Sequence, residues 1–130
     1  MKHVDVVCAV IKNKNGEILC CKRGPGRALE GCWEFPGGKV ESSETYEQTI
    51  VREIKEELHT IIKPVKYLGD SYYEYLELDS PFSIMMYAYE CELIEGNFEL
   101  TEHTDKKWIR KEDLSKYNFA KADLRIIEYL

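Results

Sequence analysis

GKVESSETYEQTIVREIKEELHT, Gly38–Thr60, is the stretch on which the reading of this chain turns. Its second half, REIKEELHT (Arg52–Thr60), sets Glu53, Glu56 and Glu57 within five consecutive positions. At about 100° per residue, Glu53 and Glu57 fall on one face at i and i+4 with Glu56 beside them, so three carboxylates leave one flank. Like charges so spaced cost roughly 0.2–0.5 kcal/mol per pair in an isolated helix. Arg52 and Lys55 offset part of that, and taken alone the segment reads as a solvated acidic face. Ile50, Val51, Ile54 and Leu58 recur at the 3.6 period. They predict a helix over Glu44–Leu58 that packs by one side and leaves its acidic side open, with Ser42 or Ser43 as its cap.

Outward from this helix the pattern is β-rich. HVDVVCAVIKN and EILCCKR are separated by a turn at Asn15-Gly16, which predicts an antiparallel hairpin. GPGRALEGCWEFPGG, Gly24 to Gly38, holds five of the eight glycines and predicts an ordered loop with special backbone angles. Ile61 to Tyr75 and Phe82 to Leu93 read as strands joined around Asp79-Ser80-Pro81, followed by a turn at Gly96-Asn97. Lys107 to Ile109 reads as a short strand and Ala122 to Leu130 as a final helix.

A chain of 130 residues with 44% apolar content suits one domain, 1–130, with a real core. The net charge of −6 opposes sequence-independent attachment to nucleic acid, so an anionic substrate needs a local device such as bound cations. Cys8, Cys20, Cys21, Cys32 and Cys91 are odd in number and show no C-x-x-C spacing. They read as reduced thiols rather than a disulfide frame or zinc site, which implies a reducing, cytoplasmic setting. MKHVDVVCAV is broken by Asp5, so neither secretion nor a membrane span is expected. A monomer or weak dimer is the expected assembly.

Gly38 to Thr60 resembles the Nudix box: Gly, five residues, Glu, seven residues, Arg-Glu, a bulky aliphatic, one residue, Glu-Glu, one residue, Gly, and a bulky aliphatic. Gly38, Glu44, Arg52, Glu53, Ile54, Glu56 and Glu57 match, while His59 and Thr60 replace the last two positions. The resemblance reverses the reading of the acidic flank, because divalent metal would hold the carboxylates together. It implies an α/β Nudix fold, a mixed β-sheet sandwiched between helices, and catalysis with Mg2+ or, in its place, Mn2+. It further implies Glu53, Glu56 and Glu57 as ligands, Glu53 also as a candidate base, the Gly37 carbonyl as a further ligand, and Arg52 as the residue orienting a carboxylate. The plain alternative for Arg52 is an i,i+4 pair with Glu56. His in the place of Gly at 59 puts the helix end in question, since His takes positive φ less readily.

CWEFPGGKVE and FAKADLRIIE (Phe119–Glu128) extend the resemblance to the MutT-like subgroup. That likeness implies a catalytic and metal-binding role for Glu102, whose plain alternative is a surface glutamate. It implies Arg23 as a phosphate contact, Phe35 as a border of the base pocket, and Asp123 as a base contact; Arg23 and Phe35 could instead be ordinary rim or core residues. An ionised Asp123 only accepts hydrogen bonds, which suits the N1–H and 2-amino group of guanine or the 4-amino group of cytosine better than adenine. A helix cap is the alternative for Asp123. The activity implied is a nucleoside triphosphate pyrophosphohydrolase that sanitises modified nucleotides, 8-oxo-dGTP first. Cytidine-type triphosphates (CTP, 5-methyl-dCTP), ADP-ribose and dinucleoside polyphosphates are alternatives, and a nucleotide-binding module without catalysis is the rival from another class.

Overall fold

The computed structural model describes the backbone of residues 1–96 and 103–130 and the side chains of residues 1–96 and 105–130. In chain order the elements are β1 (Lys2–Lys12), β2 (Glu17–Arg23), β3 (Trp33–Glu34), β4 (Gly37–Lys39), α1 (Tyr46–Leu58), β5 (Thr60–Tyr75), β6 (Phe82–Gly96), β7 (His103–Arg110), a 3-10 turn (Lys111–Lys116) and α2 (Lys121–Glu128). The mixed sheet between helices expected from the sequence is present.

β1 lies at the centre because its apolar run is continuous on both faces: Val7, Ala9 and Ile11 point one way, Cys8 and Val10 the other, all buried. It runs parallel to β6 and antiparallel to β2 and β4, and the main path of the sheet is β3-β2-β1-β6-β5. β7 pairs with β2, and β5 with β6, both antiparallel. Each face carries its own core. On one, Val7, Ala9 and Ile11 meet Ile50, Ile54 and Leu58 of α1. On the other, Cys8, Val10, Tyr75 and Met86 meet Ala122 and Ile126 of α2. All five cysteines are free thiols. Among the described residues no helix is long and apolar enough to cross a membrane.

Helix α1 starts two residues later than its periodicity suggests. Its cap is Thr45, whose side chain accepts from the Gln48 N–H at 3.1 Å while Gln48 Oε1 accepts from the Thr45 N–H at 2.9 Å. Ser42 and Ser43 lie outside the helix, and Glu44 is drawn to Arg52 instead. At the other end His59 does take the left-handed conformation, φ 51°, and its N–H donates to the Lys55 carbonyl at 3.0 Å. The helix end that glycine would supply is thus made by histidine, a residue enriched among non-glycine residues in this region.

Candidate active site

Three local structures bring the side chains together. β4 approaches β1 so closely that a side chain on Gly37 would collide with the Val7 carbonyl, while one on Gly38 would collide with the Glu53 carboxylate. The paired glycines therefore let α1 lay Glu53 directly against the strand. Arg52 then fixes the acidic side of the helix. Its Nε and Nη2 grip Glu44 at 2.7 and 2.9 Å, and its Nη1 donates to Glu53 Oε1 at 2.9 Å and Glu56 Oε2 at 3.3 Å. The i,i+4 contact to Glu56 exists but is the longest of these bonds; the bidentate grip on Glu44 sets the guanidinium. The Arg52 hydrogen bonds lead in holding the Glu44 carboxyl below its ordinary range, and the same pairing raises the Arg52 guanidinium further.

The three glutamates are not equivalent. Glu57 is buried, Glu53 half-buried and Glu56 exposed. The acidic side is thus only partly open, because Glu57 turns into the groove between α1 and the sheet. A cleft of about 700 Å³ is lined by Glu53, Glu57, Gly37, Gly38 and Lys39, and also by Arg23, Glu34, Phe35, Tyr75 and Asp123. Glu56 and Arg52 are not among its lining residues. Among the described residues no three acidic, histidine or cysteine side chains converge closely enough to hold an ion by themselves. The donor set nonetheless fits a hard cation: it is made of oxygens, two carboxylates beside the Gly37–Gly38 backbone. Magnesium commonly binds through one or two carboxylates completed by water and substrate phosphates.

The far end of the cleft is built by the C-terminal segment. Trp33 and Phe119 form a parallel bridge, with the Trp33 N–H donating to Asn118 O at 2.8 Å and the Ala120 N–H to Trp33 O at 2.9 Å. This sets α2 beside β3, so the Phe35 N–H donates to Asp123 Oδ2 at 3.0 Å. Asp123 is therefore not the cap of its helix: Ala120 holds that place without a side-chain bond, and Asp123 lies in the first turn facing the cleft. Phe35 lines the cleft, and its ring is buried against Phe119 at 5.4 Å. Arg23 lines the cleft with its guanidinium engaged, Nη1 by Glu34 at 3.0 Å and Nε by the Ala28 carbonyl at 2.6 Å. Glu102 and the Asn97 half of the predicted turn lie outside the described residues.

Sequence reasoning did not assign Glu44, Glu34, Lys39 or Tyr75 to the site. Glu44 had a signal, its fixed place in the box. Glu34 and Tyr75 had none, because β2, β3 and β5 meet α2 only through the tertiary fold.

The comparisons with known proteins agree with this geometry. The NUDIX domain family matches residues 1–130. The chain is 33% identical to the CTP pyrophosphohydrolase of Escherichia coli (strain K12) over 98% of its own length and 91% of that protein. It is 32% identical to the 8-oxo-dGTP diphosphatase of the same organism over 100% and 98%. The solution structure of the E. coli ORF135 protein superposes with a TM-score of 0.79 at 31% identity, covering 99% of this chain and 89% of that one. Family match, relatives and site geometry together make this chain a member of the Nudix hydrolase family, a MutT-like enzyme of nucleoside triphosphate hydrolysis, in a family that works with divalent metal ions.

Proposed function

We propose that the protein is a Mg2+-dependent pyrophosphohydrolase that converts a guanine- or cytosine-type nucleoside triphosphate, 8-oxo-dGTP foremost, to the monophosphate and pyrophosphate. The observation that supports this reading is the shared cleft, with Glu53 and Glu57 on one wall and Phe35 and Asp123 on another. Lys2, Arg23, Arg27 and Lys39 also line it, placing cationic side chains beside its carboxyl groups for contact with a polyphosphate.

Water attacks a phosphorus, a P–O anhydride bond breaks, and its electron pair leaves with the departing phosphate group. Glu53 and Glu57, with the Gly37 carbonyl, are the residues that would hold the cation; Glu56 and Glu102 are the further candidates. When bound, a divalent cation neutralises phosphate oxygens and makes a water more acidic. Arg52 pairs with Glu53 and orients it, and Glu53 is the candidate to accept the water proton. Phe35 and Asp123 fix the base. Relatives named for both CTP and 8-oxo-dGTP support the two base types.

Product analysis with 8-oxo-dGTP, dGTP, dCTP, 5-methyl-dCTP, CTP and ADP-ribose is the direct test. Monophosphate and pyrophosphate from the guanine or cytosine nucleotides are expected. Turnover of ADP-ribose alone, or nucleotide binding without any turnover, would overturn the reading.

A further inference from the structure

We propose that the sheet face turned away from the cleft, where tyrosines stand among carboxylates beside the edge of β5, docks an extended, arginine-bearing segment of another protein. This surface is separate from the reaction and does not rest on the function proposed above.

The sheet outruns the helix that covers it. β1 turns Val4, Val6 and Cys8 towards the cleft and, by alternation, His3 and Asp5 towards the α1 face. Helix α1 reaches along that face only to its first residue, Tyr46, whose ring stacks on Tyr87 of β6 at 4.3 Å. Tyr87 is the register partner of Val7, so the rows that begin with Asp5 and His3 extend past the helix. Those rows run Asp5–Met85–Tyr72 and His3–Ser83–Glu74 across β1, β6 and β5. Asp70, paired with Tyr87, and Tyr67, paired with Tyr89, share the face. Tyr46, Tyr67 and Tyr72 are 36%, 47% and 50% exposed, so their rings are open to a ligand.

The charge on this face has one sign. Asp5, Asp70, Glu74 and Glu47 are exposed on it. His3 is engaged within it, by Asp5 at 2.9 Å and Ser83 at 2.7 Å. Lys63 and Lys66 of β5 pair with Glu92 and Glu90 and fall on the opposite face. The carboxylates lie against the rings: the Tyr72 hydroxyl donates to Glu74 at 2.8 Å and that of Tyr89 to Glu47 at 3.3 Å. The hydrogen bond with Tyr46, then burial, then the charges of neighbours that include Asp5 and Asp70 push the Tyr87 phenol up to about 12. Aromatic faces and carboxylates together attract a planar cation that donates several hydrogen bonds, which is guanidinium rather than ammonium.

The backbone selects the form of the partner. Among the described residues β5 pairs with β6 alone and ends the path of the sheet. From Asp70 to Tyr75 that pairing runs without a register shift, and the Asp70 carbonyl accepts from the Tyr129 hydroxyl at 2.7 Å. By alternation the N–H and C=O groups of Tyr72 and Glu74 leave the sheet on the same side as that carbonyl. A strand added there bonds to them and lays every second side chain on the tyrosine face. An open face spread over α1, β1 and β5 gives a small cation little enclosure, whereas arginines at alternate positions of one segment reach several of its carboxylates at once.

NMR on the whole protein tests this, with saturating Mg2+ present to engage the carboxyl groups of the cleft. A capped synthetic peptide alternating threonine and arginine is titrated into protein labelled on its amides and tyrosine rings. Saturable shifts are expected on the rings of Tyr46, Tyr67, Tyr72 and Tyr87 and on the amides of Tyr72–Tyr75. Glu74→Lys and, separately, Glu47→Lys should each weaken binding by roughly fivefold or more, the amide spectrum reporting that each variant is folded. The same peptide with glutamate in place of arginine should not bind. Absence of a saturable shift, shifts confined to the cleft, full affinity in a folded variant, or equal binding of free arginine would overturn the proposal.

Discussion

Glu57 is the most sheltered of the three glutamates crowded into Arg52–Thr60, and it faces the cleft from the groove between helix and sheet. A carboxyl buried there does not serve packing, which points to a role in the chemistry of the cleft. Glu57→Gln is therefore expected to reduce hydrolysis to near background while raising the melting temperature of the metal-free protein or leaving it unchanged. Steady-state rates at saturating Mg2+ together with a thermal melt check this; full activity would remove Glu57 from the proposed ligand set. Asp123 gives a second residue-scale expectation, with the sign set by its raised folded-state pKa. The native protein holds this proton more tightly than the unfolded chain, so stability is greatest below the unfolded value of about 4 and declines as pH rises towards the folded value. Asp123→Asn has no such proton to lose. Its melting temperature should gain on the wild type steadily as pH increases from about 4, and a constant gap across pH would show that the carboxyl is ionised in both states.

At the scale of the element, α1 is bounded by two devices of different quality. The Thr45–Gln48 box satisfies the first turn with both reciprocal bonds present. The C-terminal end relies on His59 at φ 51°, a conformation that costs a side-chain-bearing residue roughly 1–2 kcal/mol relative to the right-handed form. His59→Gly removes that strain and, after the extra entropy glycine loses on folding, should stabilise the protein by roughly 0.5–1 kcal/mol with little effect on kcat. Urea unfolding measures it, and a destabilised variant would mean that the contacts of the His59 side chain outweigh the backbone strain. The acidic flank shows why an element read alone misleads. Repulsion among Glu53, Glu56 and Glu57 is relieved by Arg52, whose fork is oriented from Glu44 outside the helix.

The whole molecule sets the distance between the two ends of the cleft. Helix α2 lacks a side-chain cap of its own; instead the Ala122 N–H donates to the Tyr75 hydroxyl of β5 at 2.9 Å, and Ser71 Oγ donates to the Ala122 carbonyl at 2.6 Å. A cap supplied from another strand ties the position of Asp123 to the register of β5. Tyr75→Phe leaves the buried Ala122 N–H without this acceptor and should cost about 1–3 kcal/mol of stability. Because Asp123 is the next residue, KM for the preferred nucleotide should rise more than kcat falls. Equal melting temperatures for Tyr75→Phe and the wild type would show that the backbone finds another acceptor and that β5 does not anchor this end of the site.

The sequence by itself determined the helix that carries Glu53 and Glu57, the longer strands and the family, because periodicity, turn chemistry and the spacing from Gly38 to Glu57 are all local quantities; the short strands β3 and β4, set by pairing with β2 and β1, fall in or beside the stretch read as a loop. Phe35 and Asp123 were also legible as candidates, through likeness in short segments. What the sequence left open was the state of each side chain. That Glu57 is buried while Glu56 is exposed depends on which side of α1 the sheet covers. That Arg23 is held by Glu34 depends on the pairing of β2 with β3, and that Asp123 accepts from Phe35 instead of capping its own helix depends on the Trp33–Phe119 bridge between segments far apart in the chain. Burial and the charge of distant neighbours push the Asp123 carboxyl above its ordinary range, and both arise only when β3, β5 and α2 pack together; no local pattern encodes them.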